Sequence, residues 1–413
     1  MGRVFTVSCI GFGARGYIYT SLMNKQNNHY KIVSICEKNP ERLYPAQKLF
    51  NLPDEACFLD DKEFFREKRS DILIVSTQDQ DHVKQSLIGL KLGYDILVEK
   101  PISNKEEEIR ELLKAQEETG HKVFVCHVLR YAPAFKKVKE LLNSGVIGEL
   151  VLIDSVENVG YSHQAHSYVR GNWRDERTTS PMILAKCCHD LDLLTWYTGS
   201  EYESVSSIGD LRYFKKENQP KGASNRCYNC KYQDTCPYSA ITIYLKQNFW
   251  GREMVTNKRP ITNEELLERL KDGPYGRCVF ASDNNVVDNE ITMIHFKNGV
   301  NACLRMIGFT AHGGRVMKFY GTQGQIDLDE ENGFIAIKPF GKEDEILKIS
   351  SLVDAISGHG GGDEGLIDSL YDLFNGKTSS DATSLRVSIE SHLLAFDAEK
   401  SRLHHGELIK RKD

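Results

Sequence analysis

The chain has no hydrophobic run approaching the ~18 consecutive apolar residues of a membrane-spanning helix. It also has no internal repeat and no low-complexity tract. Basic charge is not in excess: 53 Lys and Arg stand against 58 Asp and Glu, a formal charge of −5. The first absence speaks against a membrane protein, and the missing basic footprint speaks against a nucleic-acid-binding domain. The first apolar run, Val4–Ile10, contains Ser8 and leads straight into glycines, unlike a secretory signal. Met1-Gly2-Arg3-Val4-Phe5-Thr6 fits a myristoylation pattern, but Gly2 lies directly before the first expected core strand.

What is present is ordinary globular composition, 40% hydrophobic and 27% charged over 413 residues. That length suits about two or three domains. Eleven cysteines is an odd number, and Cys9, Cys36, Cys57, Cys126 and Cys303 sit singly in mostly apolar surroundings. They read as small buried hydrophobes in a reducing compartment, so a cytoplasmic protein is expected.

Residues 1–126 alternate strand and helix patterns. Asp71–Ser76 has an unbroken apolar centre, as in a parallel strand covered on both faces. His82–Leu92 reads as a helix stopped by Gly93. Ser103 with Glu106 three residues on predicts a capping box. Such β-α-β alternation with short links means a doubly wound parallel sheet. From about residue 127 the rhythm changes to alternating strands, with helices expected over Met182–Tyr197 and Leu385–Arg402. The expectation for 127–413 is an α+β domain with an open, mostly antiparallel sheet, carrying an insertion at about 210–278.

Gly11-Phe12-Gly13-Ala14-Arg15-Gly16 is G-x-G-x-x-G, placed between a strand and a helix. The first glycine serves the tight turn, the second the approach of a pyrophosphate, and the third helix–strand packing. Glu37 follows Gly16 by 21 residues at the end of the second strand, where an acid accepts hydrogen bonds from ribose hydroxyls. Glu37 disfavours a 2′-phosphate, so NAD is expected; Arg15, Lys38 and Arg42 keep NADP open.

Three further motifs then give the chain a resemblance. Glu99-Lys100-Pro101 ends a later strand, Gly145-Val146-Ile147-Gly148 follows a helix, and His189-Asp190-Leu191-Asp192 lies on the next domain's helix. With Arg130-Tyr131 and Gly321-Thr322-Gln323-Gly324, in that order and spacing, the chain resembles the Gfo/Idh/MocA oxidoreductases nearly end to end. The resemblance implies a Rossmann domain followed by an α/β domain whose open sheet supports a homodimer or homotetramer. It places Lys100 at the nicotinamide and substrate, where a hydride leaving a carbinol carbon requires a base for the hydroxyl proton. Glu99 would orient the ammonium.

The family's D-x-x-x-H-x-x-D pattern maps its histidine to His189 and its last acid to Asp192, but its first acid is Ala185 here, with Lys186 beside it. On one helix Lys186 would share a face with His189 and anchor polar or anionic groups, or else pair with Asp190 at i, i+4. Arg130, Trp173, Arg174 and His359 are further candidate substrate contacts, His359 and Asp363 within a glycine-rich stretch that could present backbone amides. The implied activity is hydride transfer between nicotinamide and a secondary alcohol of a sugar, cyclitol or derivative. The rival readings are NAD-dependent glycoside cleavage through transient oxidation, and a non-catalytic nucleotide-binding sensor.

Cys227-x₂-Cys230-x₅-Cys236 lies in the polar insertion, with Cys278 where the insertion rejoins the domain. Four thiolates suit a closed structural zinc site. An iron–sulfur cluster, free thiols or a disulfide are the alternatives.

Overall fold

The computed structural model describes residues 2–256, 258, 260–352 and 358–412. The chain divides into two compact units. One comprises Met1–Asn143, Leu191–Tyr197 and Ile349–Leu393, and the other Ser144–Asp190, Thr198–Lys348 and Leu394–Asp413. Compared with a division after residue 126, the stretches 127–143, 191–197 and 349–393 therefore join the first unit.

The first unit is built on six parallel strands: β1 (Phe5–Ile10), β2 (Tyr30–Cys36), β3 (Cys57–Phe58), β4 (Ile72–Val75), β5 (Asp95–Val98) and β6 (Val123–Val125). Their order is β3-β2-β1-β4-β5-β6. The order reverses at β1, which makes the carboxyl ends of β1 and β4 the place where such sheets bind ligands. β4 is Ile-Leu-Ile-Val, buried throughout, because helices cover both faces of a doubly wound sheet.

Local chemistry fixes the helices. Pro40–Phe50 starts where the Asn39 side chain accepts the Glu41 N–H at 2.9 Å, and ends at Asn51 in the left-handed region. Such a cap is worth ~1 kcal/mol. His82–Leu92 stops at Gly93, φ +89°. The capping box expected at Ser103 does not form. Helix Glu106–Thr119 begins after Lys105, and the Ser103 hydroxyl instead donates to Glu108 at 2.6 Å.

The late helix Gly362–Phe374 sends Leu366, Ile367, Leu370 and Phe374 into the same core as Phe5, Val7, Tyr30 and Ile32. Residues 383–384 cover the outer strand: the Val125 N–H donates to the Thr383 carbonyl at 2.8 Å, and Phe124 bridges Ser384. A sheet edge left open would be a site for aberrant pairing.

The second unit holds β7 (Leu150–Asn158), β8 (Tyr202–Asp210), β9 (Asn289–Phe296), β10 (Asn301–Ile307), β11 (Gly314–Gly321), β12 (Gly324–Asp329), β13 (Phe334–Pro339), β14 (Glu345–Lys348) and β15 (Ile409–Lys410). They form one sheet in the order β14-β13-β12-β11-β7-β10-β9-β8-β15. β7 and β10 run parallel and the other pairs antiparallel. Burial alternates along β11 and β12, the period expected of strands with one packed face. Between β8 and β9 the inserted segment packs Phe214, Ala240, Tyr244, Leu266, Leu270 and Phe280 into one core with Ala165 and Val169. Its helix Asn263–Asp272 opens with a complete capping box, Thr262 with Glu265. The single helix expected over Met182–Tyr197 is two, Met182–Ala185 and Cys188–Thr198, with the break at Lys186-Cys187.

Candidate functional site

In the first unit the G-x-G-x-x-G loop joins β1 to helix Ala14–Lys25. Gly11 has φ +84°, and a Cβ there would lie 2.6 Å from the Ser76 carbonyl oxygen. A Cβ on Gly16 would lie 2.3 Å from the Gly11 carbonyl oxygen. Both glycines are demanded by the protein's own backbone. Gly13 is not: its Cβ would meet only Arg42 Nη1, at 4.0 Å. That open approach, ahead of a helix with no side-chain cap and no acid in its first turn, fits a dinucleotide's pyrophosphate.

Glu37, at the end of β2, accepts the Phe12 N–H at 2.7 Å and the Asn39 N–H at 2.9 Å. Each oxygen keeps a lone pair for a ribose hydroxyl. The carboxylate is thus fixed beside the glycine turn, with Arg42 3.9 Å away.

Glu99 and Lys100 follow β5, and the Lys100–Pro101 peptide is cis. Glu99 accepts from Arg15 Nε at 2.9 Å, from the Tyr19 hydroxyl at 2.5 Å and from the Lys100 N–H at 2.8 Å. Burial opposes its ionisation, but Arg15 and Lys100 outweigh burial and hold its carboxyl below the usual range. The Arg15 guanidinium also binds Asp363, at 2.6 and 3.1 Å. The His359 ring stands 3.2 Å from the same carboxylate. Arg15 is therefore engaged inside the unit rather than free for a 2′-phosphate. Nothing local marks this clasp, whose ends are 348 residues apart; Tyr19, one helical turn after Arg15, was the findable part.

Arg130 is buried, with Nε and Nη2 both 2.7 Å from Asp192. This bidentate pair holds two sequence-predicted residues together and engages that edge of the guanidinium within the protein. His127 lies 3.9 Å from Asp192, and burial lowers its pKa to about 4.

The second unit holds the remaining candidates. Lys186 Nζ lies 2.9 Å from Glu157 Oε1 on β7, not on Asp190 as an i, i+4 pair would require. Asp190 instead accepts from Arg315 Nε at 2.7 Å, and Arg315 Nη2 is 2.7 Å from Glu157 Oε2. Two buried carboxylates and two cations thus form one cluster. Burial and the Glu157 charge push Asp190 up to about 7 against the pull of Arg315. Glu157 and Arg315 were missed because nothing local marks a partner on another strand. His189 is buried at the start of helix Cys188–Thr198. Trp173 is partly buried, and Arg174 is held by Asp283, at 2.7 and 3.2 Å.

The zinc expectation is overturned. Among the described residues no group of three or more His, Cys, Asp or Glu is placed to hold a metal ion. Cys227, Cys230, Cys236 and Cys278 line one cavity of about 30 Å³ together with Arg170, Pro220 and Phe280. No helix among the described residues is long and apolar enough to cross a membrane.

Residues 5–127 match an oxidoreductase family described by its NAD-binding Rossmann fold, and residues 139–372 match the same family's C-terminal alpha/beta domain. The chain belongs to the Gfo/Idh/MocA oxidoreductase family. The Bacillus subtilis protein YteT, an oxidoreductase by name, is 25% identical over 95% of both chains. An inositol 2-dehydrogenase of Corynebacterium glutamicum is 24% identical over 50% of this chain and 57% of its own. A levoglucosan dehydrogenase solved with NADH and levoglucosan superposes with a TM-score of 0.72 over the whole of both chains at 15% identity, a likeness of fold. The chain is thus an NAD-binding oxidoreductase of this family.

Proposed function

We propose that this protein transfers a hydride between NAD and a secondary alcohol of a sugar, cyclitol or related polyol. The observation that carries the reading is the alignment along one sheet edge of Glu37 after β2, the glycine turn after β1 and Lys100 after β5, in the strand order β2-β1-β4-β5. Three strand spacings of ~4.8 Å put about 14 Å between the outer members, enough to lay out a dinucleotide from adenosine ribose to nicotinamide. The relatives named as inositol and levoglucosan dehydrogenases support the polyol class.

When bound, the nicotinamide supplies the hydride acceptor or donor. Glu37 receives the adenosine ribose hydroxyls, and the backbone at Gly13 admits the pyrophosphate. Lys100 handles the proton of the reacting hydroxyl. Glu99, anchored by Arg15 and Tyr19, fixes the backbone from which Lys100 projects. Lys186, steadied by Glu157, and His189 bind the substrate's other polar groups, with Trp173 and His359 as additional contacts. NAD is the expected partner rather than NADP, because Glu37 repels a 2′-phosphate and Arg15 is engaged elsewhere. An assembly of identical chains in the cytoplasm accords with the family resemblance and with eleven free cysteines among the described residues.

The test is an assay of NAD⁺ with a panel of sugars, cyclitols and sugar acids, reading reduced nicotinamide, followed by Lys100→Met on the substrate found. Loss of a positioned acid or base costs ~10²–10⁴ in rate. Near-normal turnover by Lys100→Met, or turnover without release of reduced cofactor, would refute the reading.

A further inference from the structure

We infer that His82 and His392 are positioning residues for Lys100, two buried imidazoles that hold the peptide between Pro101 and Ile102 from two separate helices. The inference rests on the reading of Lys100 as the group that handles the hydroxyl proton.

Residues 99–105 lie between β5 and helix Glu106–Thr119 and form neither helix nor strand. Ile102 and Ser103 are nonetheless fully buried. A buried backbone outside helix and sheet takes its hydrogen-bond partners from elsewhere, and here three side chains provide them. The Lys100 N–H donates to Glu99 Oε2 at 2.8 Å. The Pro101 carbonyl lies 2.8 Å from His82 Nδ1, and the Ile102 N–H donates to His392 Nε2 at 3.0 Å. That carbonyl and that N–H are the two ends of a single peptide group. Lys100 therefore stands between an anchored amide and an anchored peptide.

The partners fix the state of each ring. A carbonyl only accepts, so His82 Nδ1 carries a proton. An amide N–H only donates, so His392 Nε2 is bare and its proton is on Nδ1. That proton goes to the Ser388 carbonyl at 2.8 Å, one turn back in helix Leu385–Leu403. Burial lowers the His392 pKa to about 3, so the ring keeps its acceptor near neutrality. His82 opens helix His82–Leu92, and its Nε2 is buried with no hydrogen-bond partner among the described residues. The bond to Pro101 is thus the polar use of that ring. Ile102 and His392 are 290 residues apart, yet both belong to the first unit.

The consequence is geometric. Lysine carries its ammonium on a flexible four-carbon stem, so the precision of Nζ begins with where the backbone is held. Proton transfer requires an approach of ~2.6–3.2 Å, and a misplacement of ~1 Å can cost ~10²-fold in rate. Both rings are buried, and they act on the reaction only through the backbone that carries Lys100.

Paired amide substitutions separate positioning from general support. The Asn amide nitrogen reaches the place of Nδ1, and the Gln amide reaches the place of Nε2. His82→Asn therefore keeps the donor to Pro101 and His82→Gln loses it. At the other ring the pattern crosses: His392→Gln keeps the acceptor for Ile102 and His392→Asn loses it. The assay uses the sugar or cyclitol that reduces NAD⁺ fastest in the panel above, with Lys100→Met alongside. For His82→Gln and His392→Asn, kcat should fall ~10–100-fold with KM and NAD⁺ affinity nearly unchanged. His82→Asn and His392→Gln should stay near the unmodified rate. Rates that follow each variant's Tm instead of this crossed pattern overturn the inference, as does an unchanged kcat in all four. Should a variant fail to fold, the pair at the other histidine decides. Nitrogen NMR of histidine-labelled protein requires no substrate: both rings should be the Nδ1–H tautomer, and an Nε2–H ring at either position overturns the inference. Lost turnover in Lys100→Met without the crossed pattern removes this inference alone. Normal turnover in Lys100→Met removes the reading of Lys100 and the inference with it.

Discussion

Arg15 and Asp363 meet in a two-pronged ion pair, 2.6 and 3.1 Å, that ties the glycine loop to the start of a helix near the far end of the chain. Arg15 also grips Glu99 and lies over the Tyr19 ring, 4.5 Å from its centre. One guanidinium therefore connects the nucleotide turn, the residue before Lys100 and the glycine-rich stretch at His359.

Asp363→Ala leaves that guanidinium only one of its two carboxylates. Breaking a buried pair costs ~3–5 kcal/mol, and partial exposure of Arg15 puts the expected loss at about 2–3 kcal/mol. Burial opposes ionisation of Asp363, but His359 and Arg15 hold its pKa far below the unfolded carboxylate value. The stabilisation is thus fully present above about pH 4 and fades as pH falls further. Urea midpoints should differ most near neutrality and converge in acid; a gap independent of pH would refute this.

Glu37→Ala should narrow the preference for NAD⁺ over NADP⁺ by at least ~10-fold, about 1.4 kcal/mol. Titrations of both nucleotides check it. Tighter NADP⁺ binding by the unmodified protein would reverse the assignment.

Glu157→Gln removes the charge that helps to raise Asp190, so the Asp190 carboxyl should titrate below its value of about 7. Carboxyl NMR reads this directly. Lys186→Ala asks a separate question of kinetics. A rise in KM with kcat nearly unchanged means uniform substrate binding, whereas matched falls in kcat and kcat/KM mean a transition-state role.

Glu290 is buried on β9, and burial raises its pKa to about 7 although the Ser207 hydroxyl donates to it. Its folded value exceeds the unfolded one, so its contribution is complete below about pH 4.5 and lost as pH rises through 7. Glu290→Gln should raise Tm at pH 8, by up to about 3 kcal/mol of stability, with little gain at pH 5. Equal gains at both pH values would count against it.

The sequence made the nucleotide half legible because its signals are local. Asn39, Gly93 and the three loop glycines each act within a few residues of themselves, and the helices and the turn lie where they put them. Partners across the chain left no such trace. Ser103 resembled a cap until Glu108 took its hydroxyl, and Lys186 left its expected helical face because the helix breaks at that point. Cysteine spacing located the four-cysteine cavity without fixing its size, since spacing along a chain does not set the distance between side chains. The membership of residues 349–393 in the first unit was likewise invisible, as periodicity describes an element and not its neighbours.

Because Leu366, Leu370 and Phe374 complete the core around Phe5 and Tyr30, the order of synthesis acquires a cost. The nucleotide-binding sheet has all its strands once Val125 has left the ribosome, yet the helix that closes its core arrives roughly 250 residues later. At ~5–20 residues per second the wait is about 12–50 s. For that interval an apolar face is open in a nascent chain, and a message cut short before residue 362 would yield a polypeptide whose first domain cannot be finished. Chaperone demand and the fate of truncated products should therefore be set by the tail of this chain, far from the strands that bind the nucleotide.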